Sequence, residues 1–179
     1  KKIAFLLLSI SLIIGSSTYA QNELKDITLE DIWLKYKFFP KSVRGINSLK
    51  NGNQYTMIKN GSVVVYDYKT GDSITTLIHA NDLVIEGITD PVILTSFSMN
   101  KEETKFLIPT ETEAIYRHSS KSVYYVWDSK NQSLELLSSG KQQLAKFSPD
   151  GTLVAFVRDN NIYIKDIVSK KEIIVTSDG

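Results

Sequence analysis

The sequence predicts an all-β fold of β-propeller blades, each of four antiparallel strands, about three of them, behind a short leader. Three observations carry that prediction. Beyond Pro40 the helical period gives way to short β-branched or aromatic runs broken by Gly, Asn, Asp and Ser. The runs recur as groups about every 50 residues, the period of a propeller blade. Each group also contains a strand that ends on an aspartate, in Val65-Tyr66-Asp67, Val126-Trp127-Asp128 and Ile164-Lys165-Asp166. A β-sandwich with accidental spacing is the competing arrangement.

Taken in order, the chain opens with Lys1 and Lys2, a nearly unbroken apolar run from Ile3 to Ile14, and small residues up to Ala20. This is the pattern of a secretory signal peptide over residues 1–20. The run falls short of the ~20 apolar residues of a spanning helix, so no stable membrane span is expected. Losing it turns an excess of one basic residue into an excess of one acidic residue. Residues 21–45 form a leader in which Thr28 is placed to cap one helical turn, with Asp31 three residues later as its capping-box partner. Residues 46–179 carry the blades. Strands are expected near Tyr55–Lys59, Ser62–Tyr68, Ile74–Ile78, Val92–Phe97, Lys105–Thr110, Val123–Asp128, Leu134–Leu137, Leu144–Ser148, Leu153–Arg158, Asn161–Asp166 and Glu172–Thr176. Leu49, Phe97 and Phe147 are the matching positions that open the three units. A single blade cannot bury both faces, and three do not close a ring, so 179 residues are expected to be part of a longer chain.

Composition removes several function classes. There is no cysteine, which excludes disulfides, a thiolate nucleophile and Cys-ligated zinc. His79 and His118 are the two histidines, too few for a multi-histidine metal site. The formal net charge of +1 argues against nucleic acid as a partner, because phosphate-tracking domains concentrate Lys and Arg. No motif calls for a cofactor, and no Gly-x-Ser-x-Gly elbow is present. An exported chain without disulfides suits a bacterial periplasm or cell surface.

The middle unit is longer than the others by about a dozen residues, roughly Thr110 to Lys121. Insertions in repeat proteins become loops on one rim, where binding residues concentrate. Arg117 offers five fixed donors suited to carbonyl or carboxylate oxygens, and Tyr116 an aromatic platform beside it. A solvated hairpin tip is the plainer reading of the same residues. Glu111 and Glu113 share a face if the stretch is extended, as solvated acids. Asp67, Asp128 and Asp166, recurring at equivalent positions, read as turn formers.

Several of these segments together resemble the N-terminal part of a bacterial dipeptidyl peptidase IV, of the prolyl oligopeptidase group of serine peptidases. They are Leu29-Glu30-Asp31-Ile32, Val65-Tyr66-Asp67-Tyr68-Lys69-Thr70-Gly71, Glu113-Ala114-Ile115-Tyr116-Arg117-His118-Ser119, and the run from Gly140 through Phe147-Ser148-Pro149-Asp150-Gly151 to Tyr163. The Tyr-Arg-His-Ser stretch is the specific part, since many periplasmic propellers share Phe-Ser-Pro-Asp-Gly. The resemblance implies an eight-bladed propeller over a C-terminal α/β-hydrolase domain of the parent chain, and removal of dipeptides with Pro or Ala in second position. It implies a substrate-gating role for this segment, with a homodimer as one assembly. It assigns Arg117 to the carbonyl of the bound substrate. The catalytic Ser, Asp and His, and a glutamate pair in an Asp-Trp-x-Tyr-Glu-Glu motif, are expected beyond Gly179, so Glu111 and Glu113 do not stand in for that pair. The family's Arg-His-Ser-Tyr is here Arg117-His118-Ser119-Ser120. A non-catalytic periplasmic propeller that binds a protein partner through its rim is the alternative.

Overall fold

The computed structural model describes residues 26–43, 45–85 and 91–179, and the export signal expected over residues 1–20 lies outside the described residues. The chain divides between Ser42 and Val43 into two units. In the first, the Thr28 hydroxyl accepts the Asp31 N–H at 3.1 Å, as a cap should. The turn it starts, Glu30–Leu34, is π-helical, with the Lys35 N–H bonded to the Glu30 carbonyl at 2.8 Å. The expected capping box does not form. The buried Asp31 carboxylate is taken up by Lys37 at 2.7 Å and Lys35 at 3.4 Å.

The second unit consists of three four-stranded antiparallel meanders, each in sequence order. The first holds β1 (Asn47–Ser48), β2 (Gln54–Lys59), β3 (Ser62–Asp67) and β4 (Ser73–Ile78). The second holds β5 (Ser98–Met99), β6 (Lys105–Tyr116), β7 (Ser119–Asp128) and β8 (Ser133–Leu136). The third holds β9 (Gln143–Phe147), β10 (Leu153–Arg158), β11 (Asn161–Asp166) and β12 (Glu172–Ile174). Two of the central hairpins close on left-handed pairs, Asn60-Gly61 and Asp159-Asn160, whose backbone twist matches that of the strands they join.

The three aspartates play the same local part. Each ends the third strand of its sheet, and one carboxylate oxygen collects two N–H groups of the turn beyond. Asp67 binds those of Lys69 and Thr70, Asp128 those of Lys130 and Asn131, and Asp166 those of Val168 and Ser169. A short acceptor that bonds the backbone two and three residues on is what makes Asp favourable there.

The sheets bury one another. Val63, Ile78, Leu83, Leu94, Phe106, Ile108 and Trp127 pack between the first and second sheets. Leu107, Val126, Leu137, Ala145, Val154, Phe156 and Ile167 pack between the second and third. The middle sheet is thus covered on both faces, which is why β6 reads as a continuous apolar run, Phe106-Leu107-Ile108, while alternate residues still face opposite neighbours.

Two expectations are corrected. The run Val92–Phe97 is not a strand, although it is β-branched and apolar. Leu94 is buried and Val92 and Phe97 pack against the first core, while the paired first strand of the second sheet is only Ser98–Met99. Burial, not ladder pairing, accounts for its composition. The matching positions also shift. The N–H groups of Leu49, Asn100 and Ser148 each close the turn before the second strand, so these residues are the equivalents, and Phe97 is out of step with Leu49 and Phe147 with Ser148.

Candidate functional site: the β6–β7 ribbon

The insertion in the middle unit is not a loose loop. The two central strands of that sheet run on as a two-stranded ribbon to a two-residue turn, Arg117-His118, flanked by the pair Tyr116 and Ser119. Register shifts by one residue between Thr110 and Glu113 and again between Ala114 and Tyr116. Such bulges bend and twist a ribbon and re-aim its side chains. The first contains Glu111 at φ 48°, so the simple alternation that would place Glu111 and Glu113 on one face is broken.

Arg117 and His118 are exposed at the turn, and the neighbouring Tyr116 is 81% exposed. Lys121 and Lys141 are held by Glu113, at 3.2 and 3.4 Å, whereas the Arg117 guanidinium has no acidic partner among the described residues. A hydrogen bond from Lys121, helped by its charge and by Lys141, holds the Glu113 carboxyl below the usual carboxylate range against a smaller effect of desolvation. The ribbon therefore ends in a permanently charged planar fork, available to an incoming acceptor.

At the ribbon's foot, Pro109, Thr110, Glu111, Thr112 and Tyr125 line an open cavity of about 430 Å³ together with Ile85, Val92, Ile93 and Thr95. Burial, with the Glu111 charge added, raises the Tyr125 hydroxyl, which stays protonated at neutral pH. Among the described residues no three His, Asp or Glu side chains converge on a point that a metal ion could occupy. The structure also brings in residues that the sequence did not single out, Lys141 and Gln142, which lie far from Glu113 and Ser122 along the chain.

Three four-stranded meanders stacked face to face through shared cores are blades of a β-propeller. Residues 100–179, which include the ribbon, match the family model of the dipeptidyl peptidase IV (DPP IV) N-terminal region. Over 87% of its length the chain superposes on 22% of the crystal structure of Porphyromonas gingivalis dipeptidyl peptidase 4, with a TM-score of 0.69 and 34% identity. It is 30% identical to the probable dipeptidyl-aminopeptidase B of Phaeosphaeria nodorum over 172 residues, 87% of this chain and 19% of that one. With the probable dipeptidyl-aminopeptidase B of Chaetomium globosum it shares 37% identity over 84 residues, 45% of this chain and 9% of that one. Over residues 100–179 the chain thus matches the dipeptidyl peptidase IV N-terminal region, and its three sheets match propeller blades of a dipeptidyl peptidase 4 structure. It spans less than a quarter of the length of each of these relatives.

Proposed function

We propose that this chain is the substrate-positioning part of an exported serine exopeptidase that releases Xaa-Pro or Xaa-Ala dipeptides from peptide N-termini. The parent chain supplies the hydrolase domain and its catalytic triad, and these blades gate and orient the substrate. Arg117 is the residue that holds the substrate. The observation that carries the reading is the ribbon itself: only the middle blade of the three extends its central hairpin, and it ends on an exposed arginine without an acidic partner among the described residues. That ribbon lies inside the segment that matches the family.

The chemistry follows from the side chain. A guanidinium offers parallel N–H donors in a fixed plane, and a substrate carbonyl that accepts from them is held in one register relative to the attacking group. A hydrogen bond to a charged group of this kind contributes about 1.5–3 kcal/mol. In the full-length parent enzyme, Arg117→Ala is expected to lower kcat/KM for a chromogenic Xaa-Pro substrate by roughly 10- to 100-fold, at ~1.4 kcal/mol per decade. Wild-type kcat/KM in that variant would remove Arg117 from the site. The parent sequence beyond Gly179 gives a separate check. A paired-glutamate motif and a Gly-x-Ser-x-Gly elbow are expected there, while further blades followed by a stop would favour a non-catalytic propeller that binds a protein partner.

A further inference from the structure

The ribbon leaves the middle blade at Ser122, and the approach to the third blade is joined to it at that residue. Ser122 and Gln142 form an isolated antiparallel bridge, with N–H to carbonyl distances of 2.9 and 2.8 Å. The Gln142 side chain is fully buried beneath this joint. Its Nε2 donates toward the carbonyls of Ser138, Ser139 and Gly140 at 2.9, 3.1 and 2.7 Å, and its Oε1 accepts the Tyr124 N–H at 3.2 Å. One amide thus fixes the path of the turn and ties it to β7. A buried polar group satisfied on both ends is costly to displace.

Above the joint the ribbon has few side-chain ties. Thr112 and Ser122 share a hydrogen bond between hydroxyls at 2.8 Å. Glu113 binds its cross-strand partner Lys121 with one oxygen and, with the other, Lys141 of the third blade's approach. The Glu113–Lys141 contact therefore links the ribbon to a different blade. A two-stranded ribbon is marginal in water by itself, and two bulges leave its twist loosely specified, so a tether to a neighbouring blade sets its tilt.

We propose that Lys141, seated beside the buried Gln142, and Glu113 are positioning residues that together fix the direction of the Arg117 tip. The proposal rests on the reading of Arg117 as the substrate-holding residue. Both partners are partly exposed, and exposed pairs add little to global stability. Their loss therefore shows in activity rather than in unfolding.

The test is a set of variants of the full-length parent enzyme: Glu113→Ala, Lys141→Ala, the double variant, and each single one combined with Arg117→Ala. Each is assayed for kcat/KM on a chromogenic Xaa-Pro substrate and for its thermal midpoint. Glu113→Ala and Lys141→Ala are each expected to lower kcat/KM roughly 2- to 5-fold at an unchanged midpoint. The Glu113→Ala/Lys141→Ala variant is expected to lose no more than the worse of its singles, and neither change should cost anything further when Arg117 is already alanine. Wild-type kcat/KM in both singles, beside a loss in Arg117→Ala, overturns the positioning role and leaves Arg117 in place. Losses that multiply with that of Arg117→Ala also overturn it, because the tether would then act on something else. Wild-type activity in Arg117→Ala removes the underlying reading and the proposal with it.

Discussion

Gly151 should be hard to replace, because two independent costs fall on one methyl group. Its φ is +71°, and a Cβ built there would lie 2.7 Å from Asn100 Nδ2, 3.2 Å from Asn100 Cβ and 3.4 Å from Asn100 Cγ. Asn100 cannot simply swing aside. It is buried, and its Oδ1 accepts the Thr104 and Lys105 N–H groups at 2.9 and 2.8 Å, closing the turn that leads into β6. A left-handed backbone costs a residue with a Cβ about 1–2 kcal/mol, and overpacking a fixed neighbour costs about 1–3 kcal/mol. Gly151→Ala should thus destabilise the second unit by about 2–5 kcal/mol, which at ~2 kcal/mol per molar urea moves the midpoint down by roughly 1–2.5 M. The buried Trp127 reports the transition by its emission, since the other tryptophan, Trp33, is exposed. The two costs separate in a double-mutant cycle with Asn100→Gly, which removes the atoms in the way. In that background Gly151→Ala should cost only the backbone share, about 1–2 kcal/mol. An equal cost in both backgrounds would refute the claim that the third blade's turn is seated on the second blade's asparagine.

Asp128 combines a turn with a partly buried ion pair, its carboxylate meeting Lys105 at 2.5 Å. Asp128→Ala should cost about 2–3 kcal/mol and Asp128→Asn distinctly less, because asparagine keeps the acceptor for the turn and loses only the pair and the Asn131 side-chain bond on the other oxygen; equal costs, measured by urea unfolding, would contradict this division. Acid should weaken the blades. Two turn N–H groups, of Ser169 and Val168, hold Asp166 below the usual range. Burial pushes Asp128 up, but Lys105 and the N–H groups of Lys130 and Asn131 outweigh it. Burial likewise pushes Glu172 up, and the Ser138 hydroxyl and Arg158 outweigh it. With folded values below unfolded ones, the stabilisation is complete above the unfolded values near ~4 and is lost as pH falls through the folded ones. The urea midpoint should accordingly hold between about pH 7 and 5 and fall below about 4, and a midpoint that rises on acidification would refute the assignment.

How much of this was legible in the chain depends on how far each interaction reaches. Strands β10 and β11 have the bounds read from the sequence, because alternation and the left-handed Asp159-Asn160 turn are local signals. The aspartates that end β3, β7 and β11 were legible for the same reason: an Asx turn is made by an acceptor and the two or three residues after it. Arg117 could be singled out because the middle unit is too long, and an insertion is visible in spacing alone. The segment around Val92 misled, since apolar β-branched residues mark burial as well as pairing, and here burial between sheets was the cause.

The sequence by itself determined the all-β class, the blade repeat and the turn residues, all of which are written in patterns within a few residues of one another. Only the tertiary structure decided that the insertion is a bulged ribbon, that Gly151 rests on Asn100, and that Gln142 joins the ribbon at Ser122 while Lys141 reaches Glu113 above that joint. These contacts join residues many positions apart, and their distances depend on how one sheet stacks on the next. No local periodicity records that stacking. It is settled by the packing of Phe106, Trp127, Leu107 and Phe156 between the blades, where interdigitating side chains allow few relative placements of the sheets.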